Sequence, residues 1–345
     1  MSEPRSLLVV RRDNIGDLVC TTPLLTALRR RFPQAWLGAL VNSYNAPVLA
    51  GNDDLDAAIA YTKLKHLEPG KSALGALGAR LASFWKLRRQ GLDCVLLATP
   101  DFSPRMLHLA RWLGAKEVAG FSDGSAASRA LDRSVPLAGL EGRHEVERVF
   151  ALAALFDIAG EIPPLKVVPD ATEIEHVRAL LAPQPAPRIA VHVSARRPAQ
   201  RWPAERFAEL IRRLHERRGA SSLLLWSPGP AHHPRHPGDD DKANEIVARV
   251  GRAAPLVAYP TYRLAELIGA LAACDAVVCA DGGALHLAAA LGKPIAALFG
   301  DSPPERWRPW KLPHEVLRPE SRDVRDLAVD EVAAALARLL APTGT

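Results

Sequence analysis

Two stretches of this chain join a short apolar run, a polar turn containing glycine and the start of a helical pattern, and both place ionisable groups at the turn. In the first, Leu8-Val9-Val10 leads into Arg11-Arg12-Asp13-Asn14-Ile15-Gly16-Asp17 and on through a helical pattern to Leu28. Gly16 lets the backbone turn tightly. Asp17 stands where turn meets helix, where a carboxylate can cap the helix or take a proton from an attacking hydroxyl. Asp13 reads as a turn residue, with contact to an acceptor as its functional alternative. Pro23 after Thr22 marks either a regular helix start, with Thr22 as cap, or a kink.

In the second stretch, Ala276 to Ala280 runs into Asp281-Gly282-Gly283-Ala284 and then His286. Two glycines at a helix start expose backbone N–H groups, and the helix dipole adds to them, which is how helices hold a diphosphate. Asp281 is negative and suits a cap or a sugar hydroxyl better than a phosphate. His286, one turn into the helix, is either a buried structural histidine or a contact for the leaving group. A further loop, Phe299 to Pro304, precedes Trp307 and Trp310, for which packing is the default.

Two other turns bear on the same chemistry. The segment His192 to Pro203 carries Ser194, Arg196, Arg197 and Arg201, and arginines make good counter-charges for a diphosphate leaving group. Trp226-Ser227-Pro228-Gly229 leads into an irregular loop to Asp241. Trp226 suits covering a base, and a carboxylate of Asp239–Asp241 suits a ribose diol, although a solvated loop explains those aspartates equally well. Charge gives the last clue. Between Thr62 and Gly91 stand Lys63, Lys65, Lys71, Arg80, Lys86, Arg88 and Arg89 against the single acid Glu68. Such a run is a solvated helix face or the footprint of an anionic partner.

The elements that must position these groups alternate along the chain. Apolar runs at 7–10, 37–41, 94–98, 188–193, 222–226, 276–280 and 295–299 read as buried parallel strands. Helical patterns fall between them, at 142–156, 204–217, 263–273, 284–291 and 323–341. Alternation of this kind builds open parallel sheets covered on both faces. The expected fold is α/β, two Rossmann-like doubly wound domains facing each other across a cleft. Ligands in such sheets bind at the carboxyl ends of the strands. The expected boundaries are 1–170, a Pro-containing linker at 171–187, 188–322, and a C-terminal helix in 323–345.

The whole composition supports a globular protein: 345 residues, 48% hydrophobic, 24% charged, net charge +6. The length suits two domains. Leu7 to Val10 is too short for a signal core or a membrane span, so the expected location is the cytoplasm, with at most surface contact to a membrane. Cys20, Cys94, Cys274 and Cys279 show no C-x-x-C spacing and read as small buried hydrophobes rather than zinc or redox ligands. No G-x-G-x-x-G follows a strand and no P-loop occurs, which removes the nicotinamide and P-loop readings. The basic stretch is poor in aromatics and lacks any nucleic-acid-binding pattern, so no nucleic-acid partner is expected.

Taken in order, these motifs resemble glycosyltransferase family 9, the heptosyltransferases of lipopolysaccharide inner-core synthesis. The resemblance rests on R-x-D-x-I-G-D-L-V-x-T-T-P-L-L-x-x-L from Arg11 to Leu28, Gly51 to Asp56, Gly91-Leu92-Asp93 through Ala115, and His144 to Arg148. It continues through R-W-P-x-E-R-F from Arg201 to Phe207 and D-G-G-A-L-H-L-A-A-A-L-G-K-P from Asp281 to Pro294. It implies a GT-B fold with the nucleotide-sugar donor in the C-terminal domain, the acceptor in the N-terminal domain, and the last helix packing back on the first domain. It implies a metal-independent, inverting transfer of heptose from ADP-heptose to a Kdo or heptose residue, with ADP-heptose as co-substrate and no resident cofactor. Asp17 falls at the family's proposed base, and Asp281, Gly283 and His286 at its donor turn. The expected donor set is Ser194, Arg196, Arg201, Trp226, Asp281, Gly282, Gly283, Ala284 and His286. The expected set for the anionic acceptor is Asp13, Lys63, Lys65, Lys71, Arg88 and Arg89. Gln200 replaces a lysine common in the family, Gly282 replaces the Ser/Thr of its D-[ST]-G turn, and the segment after Trp226 is longer. The rival readings are a GT-B nucleotide-sugar epimerase, another nucleotide-sugar transferase, and a catalytically silent sugar-binding or scaffold protein.

Overall fold

The computed structural model describes residues 3–61, 73–232 and 238–341. The chain divides into two compact units, Met1–Val167 and Val168–Thr345. In the first, β1 (Ser6–Val10), β2 (Trp36–Asn42), β3 (Ala57–Tyr61), β4 (Cys94–Leu97), β5 (Glu117–Ser122) and β6 (Arg133–Pro136) form one sheet. Its order is β3-β2-β1-β4-β5-β6, with every pairing parallel. Parallel neighbours need a crossover, and α1 (Ile15–Arg31), α2 (Ala73–Arg89) and α3 (Pro104–Trp112) supply three of them, while α4 (Glu145–Phe150) follows the last strand. One side of the core packs Leu8, Val10, Val95 and Leu97 against Phe84, Leu87 and Leu107.

The second unit repeats the arrangement. It contains β7 (Arg188–His192), β8 (Ser221–Trp226), β9 (Leu256–Pro260), β10 (Ala276–Ala280), β11 (Ile295–Leu298) and β12 (His314–Leu317). Read from one edge, the order β9-β8-β7-β10-β11-β12 is that of the first sheet, strand for strand. Its helices are α5 (Ala171–Leu181), α6 (Ala204–Arg218), α7 (Asp240–Val250), α8 (Leu264–Ala272), α9 (Gly283–Ala290), α10 (Pro304–Trp307) and α11 (Val329–Leu339). Both sheets therefore reverse direction once, between β1 and β4 and between β7 and β10. Those switch points are where doubly wound sheets open a ligand crevice.

Two expectations need correction. The segment 171–187 is not a linker. Its first part is α5, which lies so close to α8 that a Cβ on Gly269 would stand 2.6 Å from the Glu173 Cβ, and Glu173 pairs with Arg263 at 2.7 Å. The Pro-rich remainder is bonded within the second unit, Ser221 Oγ donating to the Pro185 carbonyl at 2.6 Å. The expected helix 323–341 is a short 3-10 turn at Val324–Asp326 followed by α11. Val332, Ala333, Ala335 and Leu336 of α11 lie in the second unit's core with Ile211, Leu214 and Leu298.

Pro23 lies inside α1 rather than at its start. Proline cannot donate to the Val19 carbonyl four residues back. The Thr22 hydroxyl donates to that carbonyl instead, at 2.7 Å, and accepts from the Lys166 amide at 2.9 Å. All four cysteines are buried thiols. Burial pushes Cys94 and Cys274 up to about 12, and Cys279 further still. No helix among the described residues is long and apolar enough to cross a membrane.

Candidate active site

At the first switch point β1 delivers Arg11 into the interior, where it is 1% exposed. Its Nη1 donates to the Ala98 carbonyl at the end of β4, at 2.6 Å. Its Nη2 reaches Asp17 Oδ1 at 2.7 Å and Glu145 Oε1 at 2.8 Å, and its Nε lies 3.2 Å from Asp13 Oδ2. One buried cation thus joins three carboxylates from the β1 turn, the start of α1 and the start of α4. Burial of a charge is tolerated only with such pairing.

Asp17 is not the helix cap, which is Asn14, but the third helical residue. Its Oδ2 accepts from the Asn14 amide at 3.1 Å and from Asn14 Nδ2 at 3.0 Å, closing a capping box at the third helical position. Burial pushes its pKa up, but the Arg11 guanidinium and the Asn14 hydrogen bonds outweigh that and hold the carboxyl below its ordinary value. It is ionised at neutral pH and able to accept a proton. Asp13 is the more accessible carboxylate on the same guanidinium. Its backbone carbonyl accepts from Asn42 Nδ2 and the Tyr44 hydroxyl, which fixes the turn to β2.

Of the acceptor set, Arg88 and Arg89 are exposed at the end of α2. Arg88 Nη1 donates to the Trp112 carbonyl, and Arg89 stacks 5.4 Å from the Trp85 ring centroid. Neither meets a carboxylate among the described residues. Lys63, Lys65 and Lys71 lie outside the described residues.

At the second switch point β10 ends in Asp281 and Gly282 at the head of α9. A Cβ on Gly282 would meet only the Ala280 carbonyl, at 4.0 Å, so Gly282 itself is uncrowded, and it is exposed. Gln200, 4% exposed, reaches across from the loop after β7 and donates to Asp281 Oδ2 at 3.2 Å and Ser302 Oγ at 3.0 Å. The replacement of a lysine by Gln200 therefore serves to tie three strand ends together. Gly300 makes this possible: a Cβ there would stand 2.1 Å from the Ala199 carbonyl. Ser194 Oγ accepts from the Ser227 amide at 2.9 Å, joining the ends of β7 and β8.

Three donor candidates sit differently from expectation. Trp226 is 8% exposed in the second core, and its Nε1 donates to Asp240 Oδ1 at 2.7 Å, so its ring is a packing residue rather than an open face for a base. His286 is 2% exposed and lies edge-on to Trp307, with ring centroids 5.8 Å apart. Arg201 is paired with the buried Asp239, whereas Arg196 is exposed.

Other groups here escaped sequence reasoning. Glu145 appeared only as part of a motif, and nothing in its spacing announced that it meets Arg11 from 134 residues away. Lys242 on α7 donates to the Val193 carbonyl at 3.0 Å. Burial pushes it down to about 8 against the pull of Asp239. His192 ends β7, and burial pushes it down to about 4, so it is neutral at pH 7.

The glycosyltransferase family 9 (heptosyltransferase) model matches residues 80–328. Lipopolysaccharide heptosyltransferase 2 of Salmonella typhimurium is 26% identical over 333 residues, covering 90% of this chain and 87% of that protein. Lipopolysaccharide heptosyltransferase 1 of Pseudomonas aeruginosa is 28% identical over 302 residues, covering 86% and 79%. Among solved structures, the family 9 glycosyl transferase of Veillonella parvula has a TM-score of 0.80 at 18% identity over 97% of each chain. The ADP-heptose lps heptosyltransferase II of E. coli has a TM-score of 0.76 at 23% identity, over 97% of this chain and 98% of that one. With two doubly wound sheets of one strand order in the GT-B layout of those structures, and a family match across most of its length, the chain belongs to glycosyltransferase family 9, the heptosyltransferases, and is a glycosyltransferase.

Proposed function

We propose that this glycosyltransferase moves a heptose from ADP-heptose, with inversion, to a Kdo or heptose residue of the lipopolysaccharide inner core. The observation that carries the donor half is the open glycine turn at the head of α9. Its amides and helix dipole suit the diphosphate that departs, and preorganised donors of that kind are typically worth about 3–4 kcal/mol each to a transition state. Arg196 supplies counter-charge, Arg201 adds to it from its pairing with Asp239, and Ser194, Asp281, Gly283 and His286 shape the same edge.

In the reaction the acceptor hydroxyl attacks the anomeric carbon as the bond to the diphosphate breaks. Charge collects on the leaving diphosphate and positive character on the sugar ring. The attacking oxygen becomes acidic as its new bond forms, and Asp17 takes its proton, a contribution of about 10²–10⁴ in rate for general bases. A low-pKa carboxylate suffices for a proton lost that late. Asp13, on the same guanidinium, contacts the acceptor.

The acceptor half draws on the basic stretch Lys63, Lys65, Lys71, Arg88 and Arg89, which suits an anionic core. Leu81, Trp85 and Trp112 are exposed beside Lys86, Arg88 and Arg89, an apolar and cationic surface suited to the inner face of an anionic membrane. The deciding experiment offers purified protein a panel of nucleotide sugars with defined core acceptors. Transfer from ADP-heptose alone supports the proposal. Preference for a UDP-sugar, or epimerisation without an acceptor, refutes it.

A further inference from the structure

The base of the donor nucleotide still needs a contact, because Trp226 is committed to the core. We propose that Tyr262 is the aromatic platform on which that base stacks, an inference that rests on the nucleotide-sugar reading above. Tyr262 belongs to the same carboxyl edge as Trp226. Strand β9 pairs with β8 so that Pro260 stands opposite Trp226, and both the amide and the hydroxyl of Thr261 donate to the Trp226 carbonyl, at 3.0 and 2.8 Å. Tyr262 is the next residue.

Its exposure is unlike that of Trp226. The side chain is 76% exposed, while Trp226 beside it is 8% exposed. An exposed aromatic ring at the carboxyl edge of a doubly wound sheet lies where such sheets bind their ligands. The backbone under it is fixed. Glu266 Oε2 accepts from the Tyr262 amide at 2.8 Å and from the Arg263 amide at 2.9 Å. Arg263 in turn pairs with Glu266 at 2.8 Å and with Glu173 of α5 at 2.7 Å. The tyrosine therefore stands on a capped, cross-braced turn, and it has only two side-chain torsions to order on binding. Stacking needs only a π-face, so it asks for no hydrogen-bond code around the ring.

The test is calorimetry of ADP binding to the wild-type protein and to Tyr262→Ala and Tyr262→Phe, with melting temperatures measured alongside. Tyr262→Ala is expected to melt with the wild type, since the side chain buries little, and to bind ADP roughly 5- to 150-fold more weakly, the range of base–aromatic stacking. Tyr262→Phe is expected to bind within about two-fold of wild type, because the ring alone carries the contact. Equal ADP affinity in Tyr262→Ala and wild type overturns the platform and leaves the donor reading intact. A loss in Tyr262→Phe as large as in Tyr262→Ala overturns it too, assigning the contact to the hydroxyl. A wild-type protein that binds no ADP brings down the donor reading itself and the platform with it.

Discussion

Arg11 shows how one side chain can set the behaviour of several. Because its guanidinium is 1% exposed and serves Asp17, Glu145 and Asp13 together, Arg11→Met would leave the buried Asp17 and Glu145 without their cation. Removing one partner of a buried ion pair typically costs about 3–5 kcal/mol, so chemical denaturation of Arg11→Met should show a loss of that order. Asp17→Asn asks a different question. The variant keeps one acceptor oxygen, but its amide must face either Arg11 or the two Asn14 donors, a mismatch worth about 1–3 kcal/mol. Stability therefore cannot separate cap from base, whereas turnover can. Asp17→Asn should stay folded, bind ADP normally and lose transfer by at least about 10². A folded, ADP-binding Asp17→Asn enzyme with near-normal transfer would falsify the base assignment and leave catalysis to leaving-group stabilisation. The pH dependence follows from the same contacts. A carboxyl held below its ordinary value in the folded state adds stability that is fully present above the unfolded value of about 3.9 and disappears as pH falls through the lowered one. The stability gap between wild type and Asp17→Asn should accordingly be constant at neutral pH and close in acid below about pH 4.

Where strands end and loops cross, backbone geometry takes over from charge. Gly300→Ala would drive a methyl into the Ala199 carbonyl, separating the loop that carries Gln200 from Asp281 and Ser302. Overpacking of this kind typically costs about 1–3 kcal/mol, and ADP affinity should fall along with the melting temperature because Asp281 loses its brace. The contrast with what the chain's letters revealed is instructive. The central strands β1, β2, β4, β7, β8, β10 and β11 were legible because both faces are buried and their residues run continuously apolar. The others were not. β6 alternates between half-buried and exposed, β9 and β12 are largely half-buried, and β5 interrupts its apolar run with Glu117 and Gly120. The glycine turn of α9 was readable because its function depends on local backbone. Trp226 was misjudged, His286 was left between a buried structural role and a ligand contact, and Tyr262 was passed over, because exposure is decided by neighbours distant in sequence. Glu145 was hidden for the same reason.

Each of the two units gathers its polar groups where its own strand order reverses. The first unit carries Arg11 and its carboxylates there, and the second carries the glycine turn. Charge on the outside is separable from both. Arg89→Glu should raise the KM for an anionic core acceptor several-fold, more so at low salt, while the ADP dissociation constant stays unchanged. Equal loss of ADP binding would show that α2 supports the fold rather than the acceptor. The same variant should release the protein from vesicles containing phosphatidylglycerol if the surface around Trp85 touches lipid.

The distribution of sulfur offers a way to watch the two units separately. Cys20 and Cys94 belong to one, Cys274 and Cys279 to the other, and all four are buried. Only a thiolate reacts readily with alkylating reagents, and burial keeps the thiols of Cys94, Cys274 and Cys279 protonated far above neutral pH. Each pair should therefore stay unlabelled until its surroundings open. Timed alkylation followed by peptide mass spectrometry would then act as two internal clocks, and a donor analogue that slows the Cys274–Cys279 clock while leaving the Cys20–Cys94 clock running would identify, without any substitution, which half of the enzyme holds it.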